Sequence, residues 1–233
     1  MSTISGLYES VKERIACAAQ KAGRDPGDIE LIAVSKTWPA ETVSELIECG
    51  HDLFGENRVQ ELVAKVPALP ARLRWHFIGH LQQNKVRKVL PLAETIHSVD
   101  SSEIARRIDL IAADLGLFPK VYLQVNTAGE AGKFGFPVDT IRAEFDRLLE
   151  LERIEIIGLM LIPPLASDPS LTRREFSSLR KLRDELAAQS GLPLTGLSMG
   201  MSNDYEMAIE EGATAVRVGS SIFGDRKARK VKE

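Results

Sequence analysis

Apolar positions recur at three- and four-residue intervals through residues 3–21, where Ile4, Leu7, Tyr8, Val11, Ile15 and Ala18 or Ala19 share one stripe. That spacing predicts an amphipathic helix, with Gly23 placed to stop it. Beyond Asp25-Pro26-Gly27 the pattern changes to short apolar runs that alternate with helical stretches. The run starting at Leu31 leads into a helix over about 39–49, with Pro39 at a tolerated first-turn position and Gly50 just past the end. Further strands are expected near 52–54, 74–78, 94–99, 120–125, 154–161, 195–197 and 214–218. The helices that follow them are expected near 59–65, 82–89, 101–115, 138–151, 171–189, 203–211 and from 220 onward. Segment 126–136 reads as a glycine-containing loop.

Eight strand–helix units behind one extra helix, in a chain close to the ~250 residues usual for the fold, predict a (β/α)8 TIM barrel. A doubly wound open sheet has the same periodicity and stays open as an alternative. In a barrel, sites lie at the C-terminal ends of the strands, and Lys36, Asn57, His80, Asn126, Ser202 and Gly219 all fall at or just after such ends.

Lys36 ends the run Leu31-Ile32-Ala33-Val34-Ser35-Lys36. The two-residue period of a strand puts it on the face of Ile32 and Val34, toward the interior. A lysine so placed is expected to lose its proton more easily than a solvated one, which favours amine chemistry. The other reading is a strand-end lysine whose stem carries its charge out to water.

Composition narrows the field. The 233 residues, 44% hydrophobic and 27% charged, suit one globular domain, and no long Pro/Gly/Ser-rich linker divides them, so residues 1–233 are read as a single domain. A net charge of -3 gives no footprint for nucleic acid over the whole molecule, and the basic run 226–232 reads as a solvated end. Cys17 and Cys49 have neither metal nor disulfide spacing. Nothing in the pattern reads as a membrane span or secretory signal, so a cytoplasmic protein is expected.

The last two loops carry further chemistry. Segment 198–204, Ser-Met-Gly-Met-Ser-Asn-Asp, enters a helix with Asn203 as expected N-cap and Glu206 in the capping-box position. In 216–221, Gly219 permits close backbone approach and Ser220 offers a hydroxyl at a helix start. A phosphate site between loops seven and eight recurs in this barrel. Arg217 shares a face with Ala215 and Gly219, opposite Val216 and Val218, so an inward guanidinium is expected, to hold an anion or an acceptor such as a pyridine nitrogen. An Arg paired with a nearby carboxylate is the plainer alternative. A lysine amine, a phosphate cradle and an interior arginine are the parts that hold pyridoxal 5'-phosphate (PLP).

At this point the chain resembles the pyridoxal phosphate homeostasis proteins, relatives of the barrel domain of bacterial alanine racemase. The resemblance runs through AVSKTWP (33–39), FGENRVQEL (54–62), WHFIGHLQQNK (75–85), HSVDS (97–101), GLMLIPP (158–164), LSMGMSNDYEMAIEEG (197–212) and VRVGSSIFG (216–224). It implies an alanine racemase N-terminal-domain-like barrel in which Lys36 forms a Schiff base with PLP. It also implies that Ser202, Gly219 and Ser220 hold the phosphate, that Arg217 faces the pyridine nitrogen, and that Asn57 lies beside the cofactor. His80 matches the family's GHLQ segment and is carried as a cofactor-binding candidate. Segment 126–135 matches only loosely, and no site residue is taken from it.

The function implied is reversible holding of PLP in vitamin B6 and amino-acid homeostasis, without catalytic turnover. PLP-dependent apo-enzymes and free amino acids are the implied partners, and a monomer is expected. A PLP-dependent amino-acid racemase using Lys36 as base is the alternative. It needs a second acid–base group, which none of Tyr8, Tyr122 and Tyr205 is placed by the sequence to supply. A cofactor-free Schiff-base aldolase acting on a phosphorylated sugar is the third reading.

Overall fold

The computed structural model describes residues 3–130, 132–164 and 168–224; the basic run 226–232 lies outside the described residues. Thr3 caps the first helix through its hydroxyl, which accepts the Gly6 amide at 3.2 Å, and α1 (Ile4–Lys21) buries Ile4, Tyr8, Val11, Ile15, Ala18 and Ala19. This is the stripe the spacing predicts, and one such stripe needs one apolar partner surface.

The alternation that follows gives β1 (Glu30–Val34), α2 (Ala40–Glu48), β2 (Leu53–Glu56), α3 (Val59–Lys65), β3 (Arg74–Phe77), α4 (Val86–Val89), β4 (Thr95–Val99), α5 (Ser102–Leu115) and β5 (Lys120–Asn126). After it come β6 (Phe136–Pro137), α6 (Val138–Leu149), β7 (Glu155–Met160), α7 (Pro169–Ser190), β8 (Gly196–Met201), α8 (Tyr205–Glu210), β9 (Ala215–Val218) and α9 (Ser220–Phe223). The strands pair in parallel in the order β4-β3-β2-β1-β9-β8-β7-β5, and pairing of β4 with β5 closes the barrel. The open-sheet alternative is thereby excluded. Helix α1 packs on α2, α8 and α9, over the seam between the first and last strands.

Strand alternation sorts the side chains. Ala33, Phe54, Trp75, Phe77, Val121, Leu123, Leu197, Val216 and Val218 join the helix-facing core, while Ile32, Leu53 and Ala215 form a small cluster of their own inside the barrel. Room inside is scarce at one level: a Cβ on Gly158 would lie 2.0 Å from the Gly196 carbonyl, and one on Gly196 would lie 2.6 Å from the Tyr122 ring. Gly158 of β7 thus lets β8 lie close, and Gly196 of β8 leaves the space that the Tyr122 ring of β5 fills.

Several local expectations need correction. Pro39 sits at the N-cap position of α2, not in its first turn. The helix expected over 82–89 is a 3-10 turn, Gln83–Lys85, followed by the short α4. The segment read as loop seven is mostly strand, since β8 runs to Met201. Asn203 does not cap α8: Asp204 holds that position, its carboxylate accepts the Met201 amide at 2.6 Å, and Glu206 pairs with Arg14 of α1 instead of closing a capping box. A long-range ion pair outweighs the local motif there. Within 126–136, Phe136 adds a two-residue strand, β6, beside the end of β5.

Candidate functional site

A cleft of about 710 Å³ opens at the C-terminal ends of the strands, where this fold keeps its sites. Lys36, Asn57, Ser202, Arg217, Gly219 and Ser220 all line it. Six of the seven residues singled out from the sequence therefore meet in one place. His80 does not: it is exposed, pairs with Asp100 at 2.9 Å, stacks on Phe134 at 3.8 Å, and lines a separate shallow depression with Lys133.

Lys36 follows the end of β1, half-buried beside Val34. The residues on either side of it are fastened to a buried group of charges. Lys65, 6% exposed at the end of α3, donates to the Ser35 carbonyl at 2.8 Å, to Glu56 at 2.5 Å and to Glu61 at 3.1 Å. The Ser35 hydroxyl donates to Glu56 at 2.7 Å, and the Thr37 amide donates to Glu61 at 2.5 Å. Burial pushes the Glu56 carboxyl up, against the hydrogen bonds from Lys65 and Ser35 that hold it down. Thr37 has φ 67, the left-handed region, where a β-branched residue is strained. The strain at Thr37 is thus held by hydrogen bonds on both sides of Lys36. Helical spacing makes Lys65 look like an ordinary last-turn lysine, which is why the sequence hid this role.

Loops seven and eight are joined through Ser202. Its hydroxyl oxygen accepts the amides of Gly219 at 3.1 Å and Ser221 at 3.4 Å, and the Ser221 hydroxyl donates back to the Ser202 carbonyl at 3.3 Å. A Cβ on Gly219 would stand 3.3 Å from the Val34 carbonyl, so a side chain would crowd β1. Trp38 closes the adjoining wall and stacks on Phe223 of α9 at 5.9 Å.

Arg217 is 4% exposed and points inward, as its alternation with Val216 and Val218 requires. It donates Nη1 to the Ser198 carbonyl at 2.7 Å and to Ser198 Oγ at 2.5 Å, and Nη2 to the Leu161 carbonyl at 2.9 Å. Its partners are carbonyls and a hydroxyl, so the carboxylate-paired reading gives way to a cation held by dipoles; Asp204 adds only a longer-range attraction. Desolvation pushes its pKa down to about 10, which leaves it charged at neutral pH. Asn57 Oδ1 is buried in the cleft wall and finds no hydrogen-bond donor among the described residues. An orphaned acceptor at a cleft calls for a ligand or water. Ser198, Glu56, Glu61 and Lys65 are the residues sequence reasoning missed; their signal, if any, was a polar residue on a strand or helix face otherwise apolar.

Among the described residues, no group of three or more His, Cys, Asp or Glu could hold a metal, and no helix is long and apolar enough to cross a membrane.

The profile of the family described as alanine racemase, N-terminal domain, matches residues 8–227. A protein of Aquifex aeolicus named pyridoxal phosphate homeostasis protein is 44% identical over 218 residues, 93% of this chain and 96% of the relative. The structure of PipY from Synechococcus elongatus, solved with PLP bound, superposes with a TM-score of 0.82 at 43% identity, over 92% of this chain and all of that one. An alanine racemase of Clostridium difficile superposes with a TM-score of 0.70 at 19% identity, over 93% of this chain and 56% of its own; this likeness concerns the fold.

Proposed function

The chain belongs to the alanine racemase N-terminal domain family and, within it, to the pyridoxal phosphate homeostasis proteins, and from that premise we propose that it holds PLP on Lys36 and serves cofactor homeostasis without turning over amino acids. The observation that carries this reading is the convergence of Lys36, Ser202, Gly219, Ser220 and Arg217 on one cleft. Residues 1–233 act as one PLP-binding unit in this reading.

When bound, the cofactor supplies an aldehyde carbon to which an amine can add. Lys36 brings the amine, and the clamp of Lys65, Glu56 and Glu61 on Ser35 and Thr37 fixes the backbone that aims it. Ser202 and Ser220 offer hydroxyls to a phosphate dianion, and Gly219, packed closely on Val34 of β1, lines the same cleft. Arg217 has no proton to yield near neutral pH and so serves a pyridine nitrogen only as donor. A ring held that way is a weaker electron sink than one paired with an acid. Asn57 Oδ1 takes a ligand or water donor at the wall.

Absence of turnover is supported by the cleft's lining. Among the described residues, the ionisable groups on it are Lys36, Asp204 and Arg217, and none of the three tyrosines reaches it. A racemase needs a second acid–base group on the opposite face of its substrate. Asp204 is committed to the Met201 amide, and Arg217 to Ser198 and Leu161. Free amino acids, whose amines compete with Lys36 for the same carbon, are the expected release trigger, and apo-enzymes the recipients.

The test is intact mass after incubation with PLP and borohydride reduction, wild type beside Lys36→Ala. A PLP adduct on the wild type alone is expected. No adduct on either would overturn the reading, and α-proton exchange of free amino acids in heavy water would overturn the absence of turnover.

A further inference from the structure

Beneath Arg217 a line of polar side chains runs down the interior of the barrel. Ser198 Oγ, which accepts from Arg217 at 2.5 Å, lies 2.7 Å from His97 Nδ1, and His97 Nε2 lies 3.0 Å from His76 Nδ1. His97 is fully buried and His76 is 3% exposed. Tyr122, in the space left by Gly196, stacks on His97 at 4.5 Å and fixes its plane.

The direction of this line follows from its upper end. Arg217 can only donate, so Ser198 Oγ is an acceptor toward it and has its one proton left for His97 Nδ1. His97 then carries its proton on Nε2 and donates to His76 Nδ1, which places the His76 proton on Nε2 as well. The opposite direction would aim the His97 N–H at an oxygen that already accepts from a cation. It would also leave the Ser198 proton without an acceptor among the described residues. Both rings are neutral: desolvation pushes His76 down to about 3 and His97 well below its ordinary value. The charged groups acting on them, Arg217 on His97 and Arg74 and Lys120 on His76, are all cations and act in the same sense.

We propose that Ser198, His97 and His76 are positioning residues, a relay of fixed direction that presents its acceptor end to Arg217 and holds the guanidinium in register with the cleft. The functional part rests on the PLP-binding reading above; the direction of the relay does not. A relay of this kind makes Arg217 a rigid donor, so that loosening Ser198 changes how the bound ring nitrogen is held without touching Lys36.

The experiment is 15N NMR of the imidazoles in the full chain without ligand, followed by PLP titration and absorption spectra of wild type, Ser198→Ala and His97→Gln. Both rings in the wild type are expected as neutral Nε2–H tautomers at pH 7. Ser198→Ala is expected to move the His97 signals, weaken PLP about tenfold and shift the pH titration of the bound absorption band, while the borohydride adduct on Lys36 persists. A cationic or Nδ1–H His97 in the wild type would overturn the relay even if neither variant folds. A folded Ser198→Ala protein with wild-type affinity and band would overturn the positioning role. If the wild type shows Nε2–H tautomers but takes no PLP, the relay stands and the cofactor reading fails.

Discussion

The amide of Thr37 donates to the Glu61 carboxylate at 2.5 Å, which ties the residue after Lys36 to a helix one strand away in the barrel. Thr37 pays for that geometry with a positive φ of 67. The expected consequence is that Thr37→Gly relieves about 1–2 kcal/mol of left-handed strain and loses part of the gain to unfolded-chain entropy. Equal or higher stability in urea unfolding, with weaker PLP retention, would match; a loss above about 1 kcal/mol would count against strain at this residue.

Lys65→Met should be far more damaging. It removes the cation from Glu56, whose second oxygen Oε2 already has no partner among the described residues, and leaves a buried carboxyl uncompensated. A cost of about 3–5 kcal/mol is expected from such a broken pair. Adding Glu56→Gln to Lys65→Met should recover much of it, because the uncompensated group is then neutral. Urea midpoints of the single and double variants measure the difference.

Gly196→Ala tests the crowding inside the barrel. Its Cβ would lie 2.6 Å from both the Ile157 carbonyl and the Tyr122 ring, closer than van der Waals contact, so one of them must shift. A loss of about 1–3 kcal/mol is expected, with the His97 NMR signals displaced because Tyr122 stacks on that ring.

The buried histidines make the fold sensitive to acid. His76 titrates near 3 when folded and near 6.5 when unfolded, so between those values the unfolded chain binds a proton that the folded chain refuses. For His76, stability is fully present above about pH 6.5 and falls as pH falls through that window, by roughly 2 kcal/mol at pH 5. His97 and His51, whose burial also lowers them, act in the same direction. Thermal unfolding at pH 7.5 and pH 5 reads the effect, and a flat profile would contradict buried neutral rings.

The helix spacing, the eight alternations and the inward face of Arg217 were all determined by the sequence, because burial on one face imposes a period that the residues themselves record. So was the place of Lys36 at the end of β1, and so were the glycine and serines of the last two loops. Closure was decided only in three dimensions: the pairing of β4 with β5, and of β1 with β9, joins residues whose local patterns carry no sign of each other. The same holds for Ser198 and His97, 101 residues apart, and for Lys65 over Ser35. His80 shows the converse, a polar residue at a strand end like the others, yet aimed at Asp100 and Phe134 outside the cleft. Periodicity says which side chains turn away from water; which of them then touch depends on barrel closure and strand register, and these arise only when distant segments pack.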